Sequence, residues 1–353
     1  MAVGLPMKTT YANGDVYSAQ DVNDITGTIN QNVNPYTAGK NKIINGDFRI
    51  WQRGTSFNVS SSMTADRWRM NNTATTTVSQ QTFTPGTAPV AGYEGQYFLQ
   101  LDKAAGAGTY SELIQRIEDV RTFAGQTITI SYWARVTSGT ATNELYQFQA
   151  FGTGGSADVG GTISPTHTLT TSWQRFSVSV AIPSIAGKTI GTGSFFSISV
   201  LRLVTSSAVV AQIWGVQVEA GSTATAFQTA TGTIQGELAA CQRYYVRYSA
   251  GVNYYSIFAA NSWSYSTTIG VGFFAFPVEL RTSPISMDSS NLAFSKWDNV
   301  HYALSSPVLE TNISSNKVAY VYATMSGGPT GGTVGYFGSN NSSSGYIGFS
   351  AEL

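Results

Sequence analysis

The chain is short of charge. Lys, Arg, Asp and Glu make up 11% of its 353 residues and sum to a formal net charge of zero; an average soluble protein carries roughly 25%. It has no run of Lys or Arg. Phosphate neutralisation needs clustered cations, so nucleic-acid binding is not expected. The single cysteine, Cys241, cannot close an internal disulfide. Beside Leu238, Ala239 and Ala240 it reads as a small buried hydrophobe rather than a nucleophile. The two histidines, His167 and His301, fit no zinc or H-E-x-x-H spacing. His167, in Pro165-Thr166-His167-Thr168, reads as a loop residue. No apolar run approaches the roughly 18 residues of a membrane span. Met1 to Asp15 lacks the cationic end and apolar run of a signal peptide. Neither membrane insertion nor that export route is expected.

Catalytic signatures are also missing. There is no G-x-S-x-G elbow. Gly152-Thr153-Gly154-Gly155 lacks the Lys and helix of a phosphate-binding loop and reads as a turn. A carboxylate pair for glycoside hydrolysis can be built on many folds. Here Asp and Glu are few, and the adjacent Glu118 and Asp119 point to opposite faces if extended. The chain is not expected to be an enzyme. Oxygen ligands need no fixed spacing, so a structural calcium on Asp47, Asp66 or a backbone carbonyl stays open. No other metal and no cofactor is implied.

Hydrophobic residues (42%) and aromatics (12%, Tyr leading) supply ample core, and neutral polar residues supply the surface. This composition fits an all-β, extracellular or particle-surface protein. Residues 1–40 are an exception. Ser18 can cap a helix beginning at Ala19, and Val22, Ile25, Ile29 and Val33 make one apolar stripe. A helix this short is marginal alone, so it must dock or self-associate through that stripe. Pro35, Gly39 and Asn41 read as a linker.

From Lys42 the period becomes two. Ile128, Ile130 and Tyr132 alternate with Thr127, Thr129 and Ser131, and Phe176, Val178 and Val180 with Arg175, Ser177 and Ser179. Trp214, Val216 and Val218 do the same with Gly215, Gln217 and Glu219. Such alternation predicts half-solvated antiparallel sheets in a sandwich. Phe196, Ile198 and Val200 give way to Leu201 and Leu203, a phase slip that predicts a bulge. Leu113, Ile114, Ile117 and Val120 fit a helical stripe, while Leu113, Gln115 and Ile117 also fit a strand; the β context favours a strand through about Ile117, then a short turn through Glu118-Asp119-Val120-Arg121. Residues 233–245 read as a short helix or turn leading into a second β unit. The expected division is therefore an N-terminal arm (1–40), a sandwich (41–232) and a smaller β domain (233–353).

Two stretches are candidate sites. Trp51, Arg53, Asp66, Arg67 and Trp68 concentrate Trp, Arg and Asp in a chain poor in charge. They are either a structural brace, with Trp and Arg stacked and Asp paired with Arg, or a ligand site. The C-terminal third is crowded with rings, of which Tyr254, Tyr255, Trp263, Tyr265, Trp297 and Tyr302 are the candidates for stacking on a sugar. Core or a subunit interface is the other use of such rings.

Several motifs occur in one order: Asn45-Gly46-Asp47-Phe48-Arg49-Ile50-Trp51-Gln52-Arg53-Gly54, Ala65-Asp66-Arg67-Trp68, Gln115-Arg116-Ile117-Glu118-Asp119-Val120 and Ser131-Tyr132-Trp133-Ala134-Arg135. Gly215-Val216-Gln217-Val218-Glu219-Ala220-Gly221, Cys241-Gln242-Arg243-Tyr244-Tyr245, and Phe276-Pro277-Val278-Glu279-Leu280-Arg281 with Pro284 follow. Together they resemble bacteriophage tail-fibre and tail-spike-like virion proteins, over about residues 43–284. The middle domain is similar to carbohydrate-binding-module jelly rolls. Gly14-Asp15-Val16 with Asp21-Val22-Asn23 resembles fibre N-termini that attach to a virion. The resemblance implies a non-catalytic homotrimer on the virion surface, held at its N-terminus by another virion protein, with host cell-surface glycan as the partner of its C-terminal tip. A head-fibre, decoration or collar protein with a purely structural role is the alternative, and a glycan-cleaving spike a third. The resemblance carries over no standard binding residues. In its light Trp51, Arg53, Asp66, Arg67 and Trp68 are expected to brace the junction after the linker.

Overall fold

The computed structural model describes residues 39–90, 93–106, 110–252 and 255–353. The Val22, Ile25, Ile29 and Val33 stripe and Tyr254 lie outside the described residues.

The chain is all-β apart from one short α-helix and a 3-10 turn among the described residues. Its first unit is an antiparallel sandwich of the jelly-roll kind. The strands are β1 (Ser56–Met63), β2 (Arg69–Thr82), β3 (Tyr97–Lys103), β4 (Ser111–Glu118) and β5 (Thr127–Ser138), then β6 (Ala141–Ala150), β7 (Val159–Leu169), β8 (Gln174–Ala181), β9 (Phe195–Leu203) and β10 (Val209–Ala220). Their order is β7-β6-β9-β4-β2-β3-β10-β5-β8, with β1 beside β2. The long β2 pairs with β4 through Arg69–Asn72 and with β3 through Thr76–Thr82. It carries the sheet from one layer to the other, so a single hydrogen-bonded sheet folds over its own core. Leu113, Leu145, Ile163, Phe196 and Ile198 meet Leu99, Leu101, Ile130, Tyr132 and Ile213 inside.

The ambiguous segment is β4, ended by a 3-10 turn at Val120–Phe123 that Asp119 caps through the Arg121 amide, 2.9 Å away. The phase slip after Val200 is a register shift, with Leu113 opposite Leu201 but Ile114 opposite Ser199. Two expectations need correction. His167 lies in β7, not in a loop. Pro165 suggested a loop, but β7 is an edge strand, where a missing N–H costs no ladder bond. Its ring meets the Tyr132 hydroxyl at 2.7 Å, to which Asn143 also donates, and burial lowers its pKa. Strands β5 and β10 are buried on both faces rather than half-solvated. Their outer face carries Trp133 and Trp214, and Phe83, Phe98 and Phe227 cover it as a second aromatic core.

Helix α1 (Ile234–Gln242) follows, capped by the Thr233 hydroxyl. Then come β11 (Tyr245–Ser249), β12 (Ile257–Ser266), β13 (Ile269–Ala275), β14 (Ser286–Ser290) and β15 (Leu292–Lys296). The chain ends with β16 (His301–Leu309), β17 (Val318–Met325), β18 (Val334–Ser339) and β19 (Tyr346–Ser350). Six of these strands close a barrel in the order β12-β13-β17-β16-β15-β18, and β11-β19-β14 form a three-stranded sheet beside it. Phe274, Phe294, Val321, Phe337, Ile347 and Phe349 share the core beneath.

Candidate functional site

With one outer face of the sandwich sealed by aromatics, the other is open. On β6, β9 and β4 the alternation that buries Leu145, Ile198 and Leu113 turns the intervening residues outward. Tyr146 and Phe148 of β6 stand directly opposite Ser199 and Ser197 of β9. Across β9 the same serines face Ile114 and Arg116 of β4. Two small residues between two rows of large ones leave a groove along β9. It has a volume of about 190 Å³ and is also lined by Asn71, Glu112 and Phe195.

The groove's polar groups are fixed. At one end Arg202 lies 3.3 Å from Glu112 and is also paired with Glu144, while Asn71 donates to Glu112 at 2.6 Å. At the other, the Arg116 guanidinium lies 4.5 Å from the Phe195 ring centre and donates to the Leu353 carbonyl at 2.6 Å. Burial lowers the Arg116 pKa, and Arg69 and Arg67 nearby add to that. The Ser199 hydroxyl and Arg116 Nε are buried without a hydrogen-bond partner. Rings on one wall and fixed donors and acceptors on the other suit a flat molecule with apolar faces and a hydroxylated rim.

The Trp, Arg and Asp cluster lies next to this groove, where the sandwich meets the second unit. Asn45, at φ 58, bonds its own loop through Ile50 and the Asp66 carbonyl, and Trp68 Nε1 donates to the Asn45 carbonyl at 2.9 Å. Gly46 lies so close to β10 that a Cβ there would be 2.2 Å from the Val216 oxygen. The buried Asp66 accepts from the Gln52 backbone and side-chain amides; burial raises its pKa. Trp51 donates to the Phe48 carbonyl at 2.7 Å. The two arginines reach out of the sandwich. Arg67 stacks 3.3 Å over Tyr244, pairs with Glu352 and donates to the Arg116 carbonyl. Arg53 stacks 3.5 Å over Tyr245 and lies 3.4 Å from Glu352. Arg243 returns the contact with a two-pronged pair to Glu118 at 3.0 and 3.1 Å. From α1, Glu237 accepts the Asn45 and Thr231 amides, and Cys241 is buried with its thiol pKa pushed up. Among the described residues no group of three or more His, Cys, Asp or Glu side chains gathers to hold a metal.

The ring candidates of the second unit are not gathered into one site. Tyr265, 70% exposed, and Trp297, 59% exposed, stand on the barrel surface, Trp297 beside Tyr336. Tyr255 is 41% exposed and stacks on His301 at 3.8 Å. Trp263 leans on Phe273. Tyr302 is half-buried and packs against the barrel core, opposite Phe294. No ring contact joins one of these five to another among the described residues. Sequence reasoning missed Tyr146, Phe148, Ser197 and Ser199. The signal was present as two serines alternating with Phe196, Ile198 and Val200. The neighbouring walls come from strands about 50 and 85 residues earlier in the chain, which alternation cannot pair.

No family model and no curated protein matches the chain. Solved structures similar to it include the enzymatically active domain of bacteriophage CBA120 tailspike protein 4, at 17% identity and TM-score 0.32. The likeness covers 53% of this chain and 22% of that one. The C-terminal family 22 carbohydrate-binding module of a Clostridium thermocellum xylanase is similar at 15% identity and TM-score 0.35, over 53% of this chain and 99% of that one. A xylan-binding family 22 module from Paenibacillus barcinonensis is similar at 12% identity and TM-score 0.32, over 53% and 99%.

Proposed function

We propose that the chain is a non-catalytic, carbohydrate-binding subunit of a bacteriophage fibre or spike, and that saccharide seats in the groove along β9. The observation that carries the binding is the floor of Ser197 and Ser199 between Tyr146 and Phe148 of β6 and Ile114 and Arg116 of β4. The virion assignment is supported by the ordered motifs between residues 43 and 284. In this proposal the chain is a homotrimer, residues 1–40 attach it to another virion protein, and three copies add avidity to a weak single-site contact. The exposed rings Tyr265, Trp297 and Tyr255 favour an additional contact between the barrel and host-surface glycan.

The test is binding of the full chain to a panel of xylan, galactan and bacterial surface polysaccharides. Tyr146→Ala is expected to weaken binding about tenfold or more, as loss of a stacking ring does, and Ser199→Trp to abolish it by filling the groove. A well-folded chain that binds none of them, or binds equally well with Ser199→Trp, would leave the purely structural role as the better reading. Release of reducing ends from any bound polysaccharide would instead make it a cleaving spike. A monomeric mass at micromolar concentration by light scattering would refute the trimer.

A further inference from the structure

A cleft of about 400 Å³ opens between β1 of the sandwich and the three-stranded sheet, within the range of small-molecule sites. Phe57, Ser62 and Met63 form its sandwich side. Its floor is one face of the sheet, because the register places Tyr245, Ser350 and Ser286 in one row and Arg247, Gly348 and Asp288 in the next. Tyr346 closes the floor, with the Arg247 guanidinium stacked on it at 3.5 Å. Gly348 makes this face work. A Cβ there would sit 2.1 Å from the Tyr245 hydroxyl. Without one, the phenol crosses the middle strand and lies 3.0 Å from both Asp288 oxygens.

We propose that this cleft binds a neutral saccharide of one or two rings, at a site separate from the β9 groove. The inference rests on the carbohydrate-binding reading and adds a second subsite to it. The charges select the ligand class. Asp288 is exposed and makes no ion pair among the described residues. Arg53 is paired with Glu352, and its Nη1 has no hydrogen-bond partner. An anionic sugar would meet the Asp288 carboxylate, and a cationic ligand would meet Arg53 and Arg247. A neutral polyol meets neither conflict and donates hydroxyls to the exposed Asp288 carboxylate. The Phe57 and Tyr346 rings supply apolar surface for the faces of the sugar ring.

Methionine methyl groups report on the cleft directly. Met63 lines it, whereas Met287 projects from the opposite face of β14 onto the second core, and Met70 and Met325 lie in the two cores. The full chain, labelled at its methionine methyls, would be titrated with cellobiose, lactose and maltose and followed by NMR. The expected result is a saturable shift of the Met63 signal by at least one of these sugars, with Met70 and Met325 unmoved. Asp288→Ala should weaken that response about tenfold or more through loss of charge-assisted hydrogen bonds. Ser286→Trp, at an exposed position, should abolish it by filling the cleft. Tyr146→Ala should leave it intact. Silence at Met63 with all three sugars, while polysaccharide binding still depends on Tyr146, overturns the cleft and leaves the groove standing. Absence of binding at either place overturns both.

Discussion

Replacing Arg67 with Ala tests the junction most directly. Arg67 is 3% exposed, and its side chain has three partners from three parts of the chain: the Glu352 carboxylate, the Arg116 carbonyl and the Tyr244 ring. Removing one member of a buried ion pair costs about 3–5 kcal/mol when it strands the other; Arg53, 3.4 Å from Glu352, remains, so the lower end applies. A desolvated cation–ring contact is worth up to about 2 kcal/mol. These contributions share one guanidinium and are not additive, so a loss of about 4 kcal/mol is expected. At roughly 2–4 °C per kcal/mol for a domain of this size, unfolding would begin about 10 °C lower. The left-handed backbone at Arg67, φ 71, strains Ala and Arg alike, so it cancels from the difference. Heat and urea unfolding followed by Trp fluorescence would read the effect. A double-mutant cycle with Glu352→Gln should give a coupling energy of about 2 kcal/mol or more. If Arg67→Ala unfolds within about 1 kcal/mol of the parent, the magnitude of a surface pair, the junction does not hold the two units together. Saccharide binding lost from a stably folded Arg67→Ala chain would refute the structural role by the other route.

Other outcomes follow from the same geometry. Burial pushes Asp47 from 3.8 to about 6, against the pull of Arg49. The folded protein therefore holds this proton more tightly than the unfolded chain does. The resulting stability is present below about pH 4 and is lost as the pH rises through about 6, an effect of about 3 kcal/mol. Asp66 slopes the same way. Asp47→Asn should flatten the change in urea midpoint between pH 4 and 7, and an unchanged slope would mean that Asp47 does not titrate there. Gly46→Ala should cost more than about 2 kcal/mol, because its new methyl meets the Val216 backbone, which cannot swing away like a side chain; a neutral effect on thermal unfolding would show that the loop sits farther from β10. Trp297→Ala with Tyr265→Ala should leave stability within about 0.5 kcal/mol, since both rings are mostly exposed. The same pair should reduce adsorption to host cells; undiminished adsorption would remove the barrel from the contact.

Much of the fold was legible because period two is a local signal. Residues 127–132, 175–180 and 214–218 are strands where their alternation puts them, and the phase slip at Val200–Leu201 marks the bulge. The same signal does not show what covers a face. Ser131 and Gln217 look solvated in sequence but are buried, because Trp133, Trp214 and Phe227 form a second core over that side. At the candidate groove the failure was one of pairing. Ser197 and Ser199 are unremarkable until β6 and β4 are laid on either side of β9.

By itself the sequence determined the class of structure and the chemistry on offer. Few charges and abundant rings favour stacking and neutral hydrogen bonding over charge–charge contacts. It also marked Trp51, Arg53, Asp66, Arg67 and Trp68 as a cluster. Tertiary structure decided their partners. Glu352 is 285 residues from Arg67, and no local pattern links them. Only the closing of the last strands against the sandwich brings Glu352 between the two arginines, with Tyr244 and Tyr245 beneath their guanidinium planes. The physical reason is that alternation depends on the nearest neighbours along a strand, whereas grooves, clefts and buried ion pairs depend on which strands meet, and that is settled by the packing of the whole chain.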